Sequence, residues 1–132
     1  MPESSPAASR PAIVGTWVVK DSAAPFPYHM YVFNADGTMQ QANPDGGHPT
    51  TSCSDGKGIW EATGAGVRGK WVEITADRAT HQFVGTGEFA FNLTIDGDGF
   101  EGSASVTFRD GDRNLIDGPI ATTISGRRVT LD

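Results

Sequence analysis

Apolar and polar residues alternate with a period of two along much of this chain, and the alternation is interrupted about every ten residues by Gly, Pro, Asn or Asp. A period of two puts successive side chains on opposite faces of an extended strand, and closely spaced turn residues string such strands into an antiparallel array. The pattern predicts an all-β chain of eight strands, at 12–20, 28–34, 37–43, 57–63, 66–76, 80–95, 99–109 and 119–131, in up-and-down order. No segment carries a helical period. Ala35-Asp36-Gly37, Asp96-Gly97-Asp98-Gly99 and Asp110-Gly111-Asp112 supply residues that tolerate the left-handed backbone of tight hairpins. These Asp-Gly repeats lack the ligand spacing and closing Glu of a calcium loop, so they read as turns.

Parity then assigns faces. On the sixth predicted strand Phe83, Phe89, Phe91 and Leu93 share one side, with His81 in phase, against Gln82, Thr86, Glu88, Asn92 and Thr94. On the seventh, Phe100, Gly102, Ala104, Val106 and Phe108 oppose Glu101, Ser103, Ser105 and Thr107. On the second, His29, Tyr31 and Phe33 face inward, Phe33 meeting Met39 across the Asp36-Gly37 turn. The fifth leaves two registers open. Trp71 and Glu73 point in together, or Glu73 is a surface acid beside Lys70, with a bulge near Gly69 as the place for a slip.

The two ends of the chain carry a matched pair, Gly15-Thr16-Trp17 and Gly126-Arg127-Arg128. A barrel closes by pairing its first and last strands, and a Trp face is a good seat for a guanidinium. This pairing resembles the lipocalin and wider calycin superfamily, in which a Gly-x-Trp on the first strand plugs the closed end of a small β-barrel under an Arg from the last. The resemblance implies a single eight-stranded antiparallel up-and-down barrel, lipocalin-like. Because Gly126 and Arg128 share the parity of Ile120 and Ile124, Trp17 and Arg128 are the expected structural plug and Arg127 is exposed. Lipocalins are typically secreted carriers. Cytoplasmic barrels that look similar bind fatty acids, and some resembling barrels are cofactor-independent cyclases or isomerases of natural-product pathways.

Length and charge narrow the reading. At 132 residues the chain fits one domain, expected as a flexible tail over 1–11 and a barrel over 12–132. Sixteen acidic residues against ten Lys and Arg, with no basic block, argue against nucleic acid as a partner. The apolar runs are too short for a membrane span, and residues 1–11 hold no apolar segment of a signal peptide. Cys53 is the lone cysteine, which suits a reducing compartment, and a cytoplasmic location is expected. A homodimer is compatible with the composition. Residues 43–57, without an apolar run, read as a long loop between the third and fourth strands, either a solvated crossover or a rim over a pocket.

The candidate chemistry is sparse. His29, His48 and His81 have no metal-ligand spacing, so no metal is expected. There is no Gly-x-Ser-x-Gly elbow and no phosphate-binding glycine loop, so no nucleotide cofactor is expected either. What remains is acid–base work in a cavity, with His81, Asp77 and Glu73 as the candidate catalytic groups. The alternative for Asp77 is a turn cap. The wall expected to hold a ligand is His29, Tyr31, Phe33, Met39, Trp60, Trp71, Phe83, Phe89, Phe91 and Phe100, and the inward Gly85, Gly87 and Gly102 are expected to leave room beside them. The functional reading is a binder of a small, largely apolar organic molecule; the alternative is a cofactor-independent cyclase, isomerase or dehydratase in the same cavity. No motif names the ligand.

Overall fold

The computed structural model describes residues 11–44 and 49–132 and contains nine strands. They are β1 (Gly15–Asp21), β2 (Tyr28–Phe33), β3 (Thr38–Ala42), β4 (Thr51–Cys53), β5 (Gly56–Ala62), β6 (Gly66–Asp77), β7 (Phe83–Asp96), β8 (Gly99–Asp110) and β9 (Leu115–Arg128). Eight of them close into an antiparallel up-and-down barrel, β1-β2-β3-β5-β6-β7-β8-β9, sealed by β9 against β1 and by β6 against β7. The ninth, β4, lies within the stretch expected to be a loop. It pairs Thr51–Cys53 with Thr75–Asp77 and so extends the β5 edge of β6 beyond a break at Ser54-Asp55. Ser54 Oγ fills the break by accepting the Ile74 amide at 2.9 Å. Among the described residues no helix is long and apolar enough to cross a membrane.

Alternation sorts the side chains as a barrel demands. Trp17 and Val19 on β1, Tyr31 and Phe33 on β2, Met39 and Gln41 on β3, Trp60 on β5, Val67 and Trp71 on β6, Phe89, Phe91 and Leu93 on β7, Phe100 and Ala104 on β8, and Ile124 on β9 are all buried. Their opposite-parity neighbours are largely exposed. On β6 this resolves the open register in favour of Trp71 and Glu73 inward. The ladder runs unbroken past Gly69 to both neighbours, and the bulge lies at Thr75/Ala76 instead.

The bulge explains where alternation misleads. Thr75 pairs with Gly85 but Ala76 pairs with Phe83, so Val84 is an extra residue on β7 and the faces exchange there. Phe83, in phase with Phe89 by sequence, is turned to the outer face and is 56% exposed. His81 is carried past the strand end into a turn, exposed, with φ of 62°.

Both ends of the barrel follow from this frame. The closed end gathers the start of β1, the end of β9 and the β7–β8 hairpin around Trp17, whose indole Nε1–H donates to Ile13 O at 2.8 Å and whose ring lies 4.9 Å from that of Phe100. The Arg128 guanidinium sits 4.4 Å above the Trp17 ring, donates to Val14 O at 2.9 Å and to Ala12 O, and pairs with Asp98 at 3.0 Å. Gly15 is required here: its φ is +139°, and a Cβ would fall 2.8 Å from Arg128 Nη1. The open end collects the end of β1, the starts of β2 and β9, the β6–β7 turn and the end of β8.

Candidate functional site

The lower half of the barrel is filled. Phe33, Phe91, Tyr31 and Trp60 interlock with ring centroids 6.0–6.3 Å apart. The inner glycines seat rings rather than leaving space. A Cβ on Gly69 would meet Phe91 at 2.5 Å, one on Gly126 would meet Phe100 at 2.2 Å, and one on Gly56 would meet Trp71 at 2.5 Å. Gly102 and Gly85 are pressed equally hard against backbone carbonyls of neighbouring strands. The room expected beside Gly85 and Gly102 is therefore absent at those two positions. Of the expected ligand wall, Phe33, Met39, Trp60, Phe91 and Phe100 belong to this packed floor, and Phe83 lies outside the barrel.

The floor ends at an aromatic shelf. Trp71 stacks on Phe89 with centroids 4.8 Å apart and planes 13° from parallel, and its Nε1–H donates to the Tyr31 hydroxyl at 3.1 Å. Tyr31 is 2% exposed, and burial raises its pKa above the ordinary phenol value. Its oxygen accepts from Trp71, while its own proton has no acceptor among the described residues.

Above the shelf the inward positions open towards solvent: Glu73, Val106, Phe108 and Thr122 are half-buried and Ile120 is 40% exposed. Gly87 lies in this tier, and the Glu73 carboxylate leans over it, within 3.2 Å of where a Cβ would stand. Desolvation raises the Glu73 pKa above the usual carboxylate range, opposed in part by a hydrogen bond from the Cys53 thiol. No ion pair reaches it among the described residues. Across the mouth, Asp21 is 8% exposed and accepts from Thr122 Oγ1 at 2.6 Å and from the Ala23 amide at 3.0 Å.

His29 also faces the mouth, but both of its ring nitrogens are engaged. Gln41 Nε2 donates to Nδ1 at 2.9 Å, which leaves Nε2–H to donate to Phe26 O at 2.9 Å. Gln41 is itself 1% exposed and satisfied by Asn43 and by the Gly56 amide. That cluster orders the rim and leaves no base free in it. Parity marked His29; the lock on it was beyond reach, because Gln41 reads as an ordinary polar residue of β3.

Of the three candidate catalytic groups, then, the structure brings Glu73 alone into the barrel. Asp77 caps the β6–β7 turn, accepting the Ala79 and Thr80 amides at 2.9 and 2.8 Å, and these bonds hold its pKa below the ordinary value. His81 shares that exposed turn, and His48 lies outside the described residues. Among the described residues no group of three His, Cys, Asp or Glu side chains is placed to hold a metal ion.

A groove of about 590 Å³ crosses the outer wall over β5 to β8, lined by Ile59, Arg68, Lys70, Asn92, Ser103 and Ser105 among others. Its charges are already matched within the protein: Arg68 pairs with Glu61, and Lys70 with Glu88 at 3.0 Å. Matched charges have less to gain from a ligand than the unpaired groups inside the barrel. The interior is therefore the stronger candidate. No protein-family model, curated protein or solved structure matches this chain.

Proposed function

We propose that the barrel binds a small, largely apolar organic molecule in its upper half, resting on the Trp71–Phe89 shelf and entering between Ile120 and the Asp21–His29 rim. The observation that carries this reading is the combination, in one tier, of an aromatic shelf, half-buried apolar walls and two polar groups without full partners, the Tyr31 hydroxyl proton and Glu73. An apolar surround with a few placed polar groups is the usual make-up of a small-molecule site. A ligand acceptor can take the Tyr31 proton, which otherwise remains a buried donor without a partner.

The test is a titration with the neutral fluorophore N-phenyl-1-naphthylamine. Saturable enhancement at one site per chain, weakened when Gly87→Leu fills the tier beside Glu73, is the expected result. Absence of saturable binding contradicts the reading.

A second reading is supported by Glu73 itself. A carboxylate held above its ordinary pKa, inside a barrel, is suited to proton transfer in a cofactor-independent cyclisation, isomerisation or dehydration. Under this reading a converted compound loses about 10²-fold or more of its turnover in Glu73→Gln, and retention of full turnover excludes Glu73 as the base.

A further inference from the structure

Two glutamates on the central strands differ in their charge partners: outward Glu88 is ringed by cations, whereas inward Glu73 has no ion pair among the described residues. Glu88, whose parity places it outside, is 7% exposed because three cations cover it: Lys70 at 3.0 Å, Arg113 at 2.8 Å and Arg109 at 3.7 Å. Those bonds hold its carboxyl below the usual range. Glu73 sits two strand positions from Trp71 on the inner wall, and no cation among the described residues reaches it. The strands have no ammonium or guanidinium to offer it. Lys20, Lys57, Arg68, Lys70, Arg109 and Arg127 all occupy outward positions, and Arg128, which is inward, is committed to Trp17 at the far end.

A second carboxylate, Asp21, borders the same mouth with hydroxyl and amide donors but no counter-charge among the described residues. Beside the Cys53 thiol on Glu73 and the apolar Val106 and Ile120, the tier presents the π faces of Trp71, Phe89 and Tyr31, and the chain as a whole carries a formal charge of −6. An inner wall with negative charge, aromatic faces and no built-in cation selects for positive charge in whatever it encloses.

We infer that the molecule held in the upper barrel is an organic cation, an ammonium carried on an aromatic or aliphatic body, with Glu73 as its counter-charge and the Trp71–Phe89 shelf beneath its apolar part. This inference rests on the small-molecule reading above. The ammonium would donate to the Glu73 carboxylate, and the Tyr31 hydroxyl would be left for an oxygen acceptor on the same molecule.

Three compounds with one ring system and different charge separate the cases: 2-(1-naphthyl)ethylamine, 2-(1-naphthyl)ethanol and 1-naphthylacetate. Each is used to displace N-phenyl-1-naphthylamine from the full chain near neutral pH and at low ionic strength. The amine is expected to bind about tenfold more tightly than the alcohol, in line with a charge-assisted hydrogen bond, and the carboxylate most weakly. In Glu73→Gln the amine should fall to the level of the alcohol while the alcohol is unchanged, and Glu73→Asp should keep the preference. An alcohol that binds the wild-type protein as tightly as the amine overturns the cation inference and leaves the small-molecule site intact. Failure of all three to displace a bound fluorophore also overturns it, and failure of the fluorophore itself to bind overturns the small-molecule reading with it. The wild-type ranking decides the matter even if a Glu73 variant does not fold.

Discussion

Glu73 and Glu88 are both glutamates on long central strands, and their surroundings push them in opposite directions. Desolvation without a counter-ion raises the pKa of Glu73, so its folded state favours the proton; its contribution to stability is favourable below the unfolded carboxylate value and is lost as pH rises through the folded one. Glu88 is the reverse: its stabilisation is present above the unfolded value and is lost as pH falls through the depressed one. Glu73→Gln should accordingly have a higher midpoint of thermal unfolding than the wild-type protein at pH 7, and the advantage should shrink as pH falls towards 4. A midpoint difference independent of pH would show that Glu73 is not buried as a carboxylate. Of this pair, the sequence placed Glu88 on the outer face but left Glu73 between two registers. Strand periodicity fixes which residues share a face, while the face that turns inward depends on pairing between strands distant in sequence.

At the scale of the element, the first and last strands form the seam that makes a barrel out of a sheet. Trp17 pairs across it with Arg128, and the Trp17 side chain is fully buried. Trp17→Ala should cost about 3–5 kcal/mol, the usual range for a buried aromatic, read as a fall in the denaturant midpoint. A variant with unchanged stability would contradict the role of this pair as the plug. The seam was legible because its signal is local at each end: a Gly-x-Trp, and an Arg in phase with Ile124. The β7 start was illegible for the complementary reason. Nothing in Phe83-Val84-Gly85 announces the extra residue, because a bulge is set by how β6 and β7 meet. It moved Phe83 and His81 out of the barrel and removed two residues from the expected site. β4 was missed on similar grounds, being three small residues, Thr51-Ser52-Cys53, that are extended along the edge of β6.

At the scale of the molecule, the barrel divides into a packed half and one whose inward side chains are partly exposed. The eight-stranded ring and its alternation were readable from turn spacing and period, whereas the division was not, since inward glycines fit a cavity and a seat for a ring equally well. Here Gly56, Gly69 and Gly126 seat Trp71, Phe91 and Phe100, and Gly87 alone among them faces a carboxylate. The candidate site is consequently smaller and nearer the mouth than the aromatic count suggested.

The three indole N–H groups report on this division directly, because each is tied to a different level: Trp17 to Ile13 at the closed end, Trp60 to Asn34 and Thr38 beside it, and Trp71 to Tyr31 at the shelf. The most direct test of the account is a ¹H–¹⁵N correlation spectrum recorded while N-phenyl-1-naphthylamine is titrated into the protein. The expected result is a saturable shift of the Trp71 indole, accompanied by the Gly87 amide, with the Trp17 and Trp60 indoles nearly still. Saturable shifts confined to Asn92, Ser103 and Ser105 on the outer wall, with the Trp71 indole unmoved, would contradict it.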